Sequence, residues 1–264
     1  MLFPIAANFS RIVSRARRKE ATFGTSTTRM VSRLRLPKRR RAAFGSRWRI
    51  PRRRVDVSIG AVSSLWDFVE GIKPDDEVIQ EAVKHVDYRT ISVDGTTVTL
   101  ADPDAMLDLG GIAKGFITDD LASMLREAGC ESAMLSLGGN VYVLGESFRG
   151  DDWSVGVQDP NGAANDVIAS IPAHDKSLVT SGLYERSFVV DDVLYYHILD
   201  PRTGYPVKTD LASASIVSDS STDGDAYSTM LDFLNADERF SGLLVDMNDV
   251  ATASDGSDFT LLND

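Results

Sequence analysis

The sequence predicts an α+β fold with mixed or antiparallel sheets and packed helices. Runs of strand-like segments dominate, with helical patterns interspersed rather than alternating regularly with them. Two pairs of strands are separated by tight-turn residues. Asp94-Gly95 lies between Ile91–Val93 and Thr97–Leu100, and Asp191-Asp192 lies between Ser187–Val190 and Val193–His197.

Along the chain, residues 75–87 read as a helix, with Asp75-Asp76 placed favourably at its N-terminus. The 91–100 hairpin follows. A second helix is expected over 112–128, where Phe116, Ile117, Leu121, Met124 and Leu125 share one face and Gly129 stops the helix. Ala133 to Leu137 is a short apolar run. Gly138-Gly139-Asn140 then leads into Val141-Tyr142-Val143-Leu144, giving strand, glycine turn, strand. Residues 145–166 read as an exposed loop carrying one strand at Trp153–Val157. Further strands are expected at 167–171, 187–190, 193–198 and 211–217, then a helix from about 223 to 234. The last residues, ASDGSDFTLLND, form a final strand or fray.

A chain of 264 residues with 43% hydrophobic content suffices for one large domain or two lobes around a shared cleft. It suits a secreted or cytosolic globular enzyme. A single cysteine, Cys130, excludes internal disulfides and cysteine-based metal clusters, and it reads as a small buried residue. No run approaches the roughly 18 apolar residues of a membrane span. His85 and His174 have no recognisable partners in the sequence and read as surface residues.

Four segments carry chemistry. Asp108-Leu109-Gly110-Gly111-Ile112-Ala113-Lys114-Gly115 gathers a carboxylate, two glycines and a lysine at a helix start. Such a terminus suits an anion, or it is simply a cap with a tight turn. Gly138-Gly139 lets a flat ligand approach the backbone. His197-Ile198-Leu199-Asp200-Pro201-Arg202-Thr203-Gly204 delivers a histidine and an aspartate from a strand end into a Pro/Gly-rigid loop. His197 is catalytic there, or structural. Finally, Asp225, Ser228 and Thr229 stand at i, i+3 and i+4, so three hard oxygen donors share a helix face. They suit Mg²⁺, or an N-capping aspartate with ordinary helical hydroxyls.

DLGGIAKG, LGGNVYVLG and HILDPRTGYPV, in this order and followed by DAYST, resemble the ApbE family of FAD:protein FMN transferases. DVSIGAVSSLWDF (56–68) and TSGLYERSFV (180–189) are similar to further family segments, so the resemblance covers about residues 55–250. It implies a two-lobed domain around a central FAD cleft. It also implies a reaction: FAD is cleaved at its pyrophosphate, FMN is joined to a threonine hydroxyl of a target protein, and AMP leaves. By the same resemblance, Asp108, Lys114 and Asp56 contact FAD, and Ile198 lines the flavin site. The Gly111 carbonyl ligates Mg²⁺ with Asp225 and Thr229, with Ser228 close by. His197 is the candidate base for the acceptor threonine. Arg54-Val55 departs from the family's Ala-Phe before Asp56. The family works outside the cytoplasm, often membrane-anchored, so an extracytoplasmic location is expected, although no signal segment or lipobox is visible. The alternative is a flavin-binding protein without turnover. A hydride-transferring flavoenzyme is a more distant one.

The net charge of −11 hides an asymmetry. Residues 1–54 hold 17 Lys and Arg against one acid, Glu20, for +16, while 55–264 hold 11 bases and 38 acids, for −27. The acidic body is not expected to bind nucleic acid. Three readings fit the first 54 residues: a targeting peptide, a basic arm for nucleic acid or anionic membrane, or an out-of-frame translation. The last is our working expectation, because arginine- and serine-rich sequence is what GC-rich coding DNA yields out of frame. It makes 55–264 a family domain lacking part of its flavin pocket. Reading the upstream DNA in three frames tests this.

Overall fold

The structure is a computed structural model and describes residues 34–35, 55–94, 97–163, 165–229 and 240–262. The expectations for residues 1–54 therefore lie outside the described residues, apart from Leu34–Arg35 (β1). That short strand pairs antiparallel with Val98 and Thr97.

After β1 the elements are α1 (Gly60–Ser63), α2 (Asp76–Val83), β2 (Ile91–Asp94), β3 (Thr97–Leu100) and α3 (Gly110–Glu127). Strands β4 (Ala133–Leu137), β5 (Asn140–Leu144), β6 (Trp153–Gln158), β7 (Val167–Ala173), β8 (Lys176–Gly182), β9 (Ser187–Val190), β10 (Val193–Tyr196) and β11 (Leu211–Ser218) follow. The chain then forms α4 (Ser221–Ser228), β12 (Ser241–Asp246), β13 (Ala251–Ala253) and β14 (Thr260–Leu261). The central sheet has six strands in the order β13-β12-β11-β8-β5-β4, every neighbouring pair antiparallel. The predicted α+β class with antiparallel sheets is what forms.

The alternation of β5 sets the layers. Val143, with Val141 packed behind it, meets β6, β7 and β12 in the largest core cluster, together with Val155, Val157, Ile168 and Leu243. Tyr142 and Leu144 point the other way, onto Ala122 of α3. Helices α3 and α4 thus cover one face of the central sheet, and the β14-β7-β6 sheet covers the other. Asn140, two residues before Tyr142, is carried to the helical face.

Several boundaries differ from expectation. The first long helix ends at Val83, and Tyr88–Thr90 forms a separate 3-10 turn. Asp94 is a strand residue paired with Thr97, so it belongs to β2 rather than to the turn. α4 starts at Ser221, capped by Ser220, whose hydroxyl accepts the Asp223 N–H at 3.3 Å. Its expected run to 234 lies mostly outside the described residues. Four strands, β1, β8, β12 and β13, were not expected. β8 reads Lys-Ser-Leu-Val-Thr-Ser-Gly and is covered on both faces, so it shows no alternation to detect. The histidines also have partners. His85 Nδ1 lies 2.9 Å from Asp102, which raises its pKa, and His174 lies 3.4 Å from Asp152. Cys130 is only partly buried, with Sγ 3.3 Å from the Ser132 carbonyl.

Candidate functional site

The two glycines and Asp108 open α3. Leu109 occupies the cap position, and Asp108 Oδ1 accepts the Gly110 N–H at 2.8 Å. The other oxygen, Oδ2, accepts from Ser63 Oγ of α1 at 2.6 Å. Asp108 therefore caps one helix and ties it to another, as the cap reading expects.

One turn later, α3 meets α4 almost backbone to backbone. A Cβ on Gly115 would stand 2.2 Å from the Ser221 carbonyl oxygen. The Gly115 N–H, which in a regular helix points at the carbonyl of residue 111, donates to Asp225 Oδ2 at 2.8 Å. Gly111 faces Thr229, whose Oγ1 would lie 3.5 Å from a Cβ placed there. The Ser228 and Thr229 hydroxyls donate to the Asp225 carbonyl at 3.1 and 3.0 Å, and Ser228 Oγ also lies 2.8 Å from Ser181 Oγ of β8. Gly111, Asp225, Ser228 and Thr229 are thus brought together from two helices. Asp225 is 2% exposed, and burial pushes its carboxyl up, against the Gly115 N–H, the Lys114 charge and the Asn140 amide.

A carboxylate from α3 fixes this junction. Asp119 accepts from Ser221 N at 2.7 Å, Thr222 N at 3.0 Å, Ser220 Oγ at 2.9 Å and Thr222 Oγ1 at 2.6 Å. It caps the N-terminus of α4 from outside that helix. The sequence offered only an Asp-Asp pair inside a helix, with no sign of the distant partner.

Lys114 reaches from α3 to the β4–β5 turn. Its Nζ donates to the Gly138 carbonyl at 2.7 Å. Gly138 and Gly139, at φ +50° and +87°, form the β4–β5 turn in a conformation other residues resist. Beyond it opens a cleft of about 490 Å³, lined by Lys114, Gly139, Thr180, Tyr184, Glu185 and Arg186 among others. The last four come from the TSGLYER stretch, whose residues the sequence reading assigned no individual role.

His197 follows β10, its N–H donating to the Arg186 carbonyl at 3.1 Å. The ring stands edge-on to Phe68 at 6.5 Å, and its buried Nδ1 has no hydrogen-bond partner among the described residues. Burial pushes its pKa down. The charges of Arg186 and Lys114 act the same way, while Asp108 and the Arg186 carbonyl oppose them. The net effect favours the neutral imidazole. Asp200 and Arg202 bind each other at 2.9 Å and close their own turn.

Two candidates have side chains engaged within the fold. Both Asp56 oxygens are engaged locally, Oδ1 by Ser58 N at 2.9 Å and Oδ2 by Tyr88 N at 3.1 Å. The Ile198 side chain, 6% exposed, packs in a core cluster with Leu183, Tyr196 and Ala214.

The donor set fits a small hard cation. The groups offered by Gly111, Asp225, Ser228 and Thr229 are oxygens, one of them a buried carboxylate, with no thiolate or imidazole in the set. The separate His85, Asp102 and Asp104 group lies outside this junction.

Residues 47–250 match the ApbE family. The chain is 38% identical over 190 residues to the FAD:protein FMN transferase of Treponema pallidum (strain Nichols), covering 65% of this chain and 52% of that protein. It is 38% identical over 192 residues to the FAD:protein FMN transferase of Klebsiella pneumoniae (strain 342), covering 71% and 59%. The chain thus spans a little over half the length of these relatives. The crystal structure of the ApbE protein from Thermotoga maritima superposes with a TM-score of 0.68 at 32% identity, covering 76% of this chain and 69% of that one. With the motifs in order and the match running through both helices of the junction, the chain belongs to the ApbE family.

Proposed function

We propose that the protein is an FAD:protein FMN transferase, using Mg²⁺ to move FMN from FAD to a threonine hydroxyl of a target protein and releasing AMP. The observation that carries this reading is the buried Asp225 carboxylate at the α3–α4 junction, where Gly111 faces Thr229 and the Ser228 and Thr229 hydroxyls gather on the Asp225 main-chain carbonyl. Asp225, Thr229 and the Gly111 carbonyl would hold the ion, with Ser228 beside them. Bound there, Mg²⁺ would neutralise charge on the pyrophosphate. Lys114 reaches the cleft and supplies a second positive charge.

In the transfer, the threonine oxygen bonds to the FMN-side phosphorus, and the bond from that phosphorus to the bridging oxygen breaks. AMP leaves with that electron pair. The hydroxyl proton passes to the His197 imidazole, whose burial favours the free base. Location outside the cytoplasm at a membrane belongs to the same proposal, and cell fractionation tests it. No helix among the described residues is long and apolar enough to cross a membrane.

The test is incubation with FAD, Mg²⁺ and a target domain bearing the acceptor threonine, with mass spectrometry of the target and assay of AMP. An FMN mass on threonine is expected, lost in Asp225→Ala and reduced in His197→Ala. Transfer at the wild-type rate by His197→Ala removes the histidine from the mechanism. Binding of FAD with no AMP supports a flavin-binding protein without turnover.

A further inference from the structure

Three contacts join α3 to α4, and they fall in step. Gly111, Gly115 and Asp119 recur every four residues along α3, which puts them on one face. Their partners Thr229, Asp225 and Ser221 recur every four residues along α4 and its C-cap, in the reverse direction. The two helices therefore run antiparallel in a single register. At the Gly111 end lie the oxygens proposed to hold the cation. At the other end Asp119 accepts two main-chain N–H and two hydroxyl donors of residues 220–222, at 2.6 to 3.0 Å.

This carboxylate does more than close a helix end. α4 already has a cap of its own, since Ser220 Oγ accepts the Asp223 N–H at 3.3 Å and the Ser220 carbonyl accepts the Gly224 N–H at 3.0 Å. An ionised carboxylate has about four lone-pair directions, and four donors meet this one. Because Asp119 belongs to α3, the same bonds fix where α4 stands along its neighbour. α4 is eight residues, about 12 Å long, and too short to hold its place unaided. The Gly115 bond ends on Asp225, a proposed ligand, and shares that carboxylate with an arriving ion. The Asp119 bonds end on residues 220–222, none of which is a proposed ligand.

We infer that Asp119 is a positioning residue that sets the register of α4 on α3 before the cation arrives, and with it the span from the Gly111 carbonyl to Asp225 and Thr229. The inference rests on the cation site proposed above. Slippage by one residue moves α4 about 1.5 Å along its axis. Mg²⁺ demands a near-ideal octahedron with oxygens at about 2.0–2.1 Å, so a shift of that size separates ligands that come from two helices.

The test titrates the whole chain with Mg²⁺ alone, by calorimetry, for wild type, Asp119→Asn, Asp102→Ala and Asp225→Asn, with circular dichroism to show that each is folded at the titration temperature. Asp119→Asn keeps the shape but turns an NH₂ group toward the donors. It should lose about 10-fold in Mg²⁺ affinity, the low end for an outer-shell partner, because Asp119 acts through α4 instead of bonding a ligand. Asp102→Ala breaks the His85 pair, outside the junction, and should keep wild-type affinity while melting lower. Wild-type affinity in a folded, less stable Asp119→Asn overturns the inference and leaves Asp119 a helix cap. An equal loss in Asp102→Ala overturns it too, since the loss then follows stability and not register. If Asp119→Asn does not fold, Thr222→Val, which removes one of the four donors with little change of shape, should show a smaller loss in the same direction, and none overturns the inference. If wild type binds no Mg²⁺, or Asp225→Asn binds it undiminished, the cation site itself is what fails.

Discussion

Gly115→Ala sets helix propensity against tertiary packing. Gly115 lies in the interior of α3, where alanine is favoured over glycine by about 1 kcal/mol. From the sequence alone the substitution should stabilise. In the structure the new Cβ would fall 2.2 Å from the Ser221 carbonyl oxygen and 2.7 Å from Thr222 Cα, both backbone atoms of α4. Backbone cannot turn aside as a side chain can, so the helices must separate. Overpacking costs about 1–3 kcal/mol, and a backbone contact this short belongs at the upper end. The net is a loss of about 2 kcal/mol. At about 2–4 °C per kcal/mol for a domain of this size, the melting temperature should fall by about 4–8 °C. The same separation lengthens the bond from Gly115 N–H to Asp225, so added Mg²⁺ should stabilise the variant less than wild type. Thermal unfolding followed by circular dichroism, with and without Mg²⁺, measures both effects. A variant melting at or above wild type would refute the argument that the α3–α4 contact is set by the missing side chain.

The remaining predictions concern charge. Asp119→Ala removes the acceptor of two N–H and two hydroxyl donors at the start of α4 and should cost about 1–3 kcal/mol, read as a lower denaturation midpoint. Asp225 has a folded pKa above its ordinary 3.8, so its contribution to stability is fully present below that value and is lost as pH rises through the folded pKa. Metal-free wild type should therefore lose stability across that window relative to Asp225→Asn, and Mg²⁺ should restore only the wild type; equal melting curves for the two proteins from pH 3.5 to 7 would exclude this. His197 has a folded pKa below its ordinary 6.5, so its contribution is present above 6.5 and is lost as pH falls through the folded value. The acid limb of the transfer rate should correspondingly lie below pH 6.5, and a limb above it would contradict the buried free base.

The local chemistry was largely legible. The Asp94, Asp191-Asp192 and Gly138-Gly139 hairpins, the helix after Gly110 and its stop at Gly129 follow from short-range preferences, and they form as expected apart from shifts of one or two residues. Asp225, Ser228 and Thr229 share a helix face because helical spacing requires it. β8 escaped because a strand covered on both sides has no alternation, and its serines and threonine are satisfied only by partners such as Ser215 and Ser228. The role of Asp119 escaped for a related reason, since its partners lie 101 to 103 residues away.

By itself, the sequence determined the α+β class with mixed or antiparallel sheets, the turns, and which oxygen, nitrogen and glycine groups stand beside one another along the chain. Only the tertiary structure decided what those groups face. It turned the Asp56 carboxylate onto Ser58 and Tyr88, buried Ile198 in the core, and drew Gly111 to Thr229 across two helices. It also brought Lys114 to the Gly138 carbonyl at the edge of the cleft. The physical reason is range. Turn and helix preferences act over a few residues, whereas burial and hydrogen-bond satisfaction are settled between elements that meet only once the sheet has assembled.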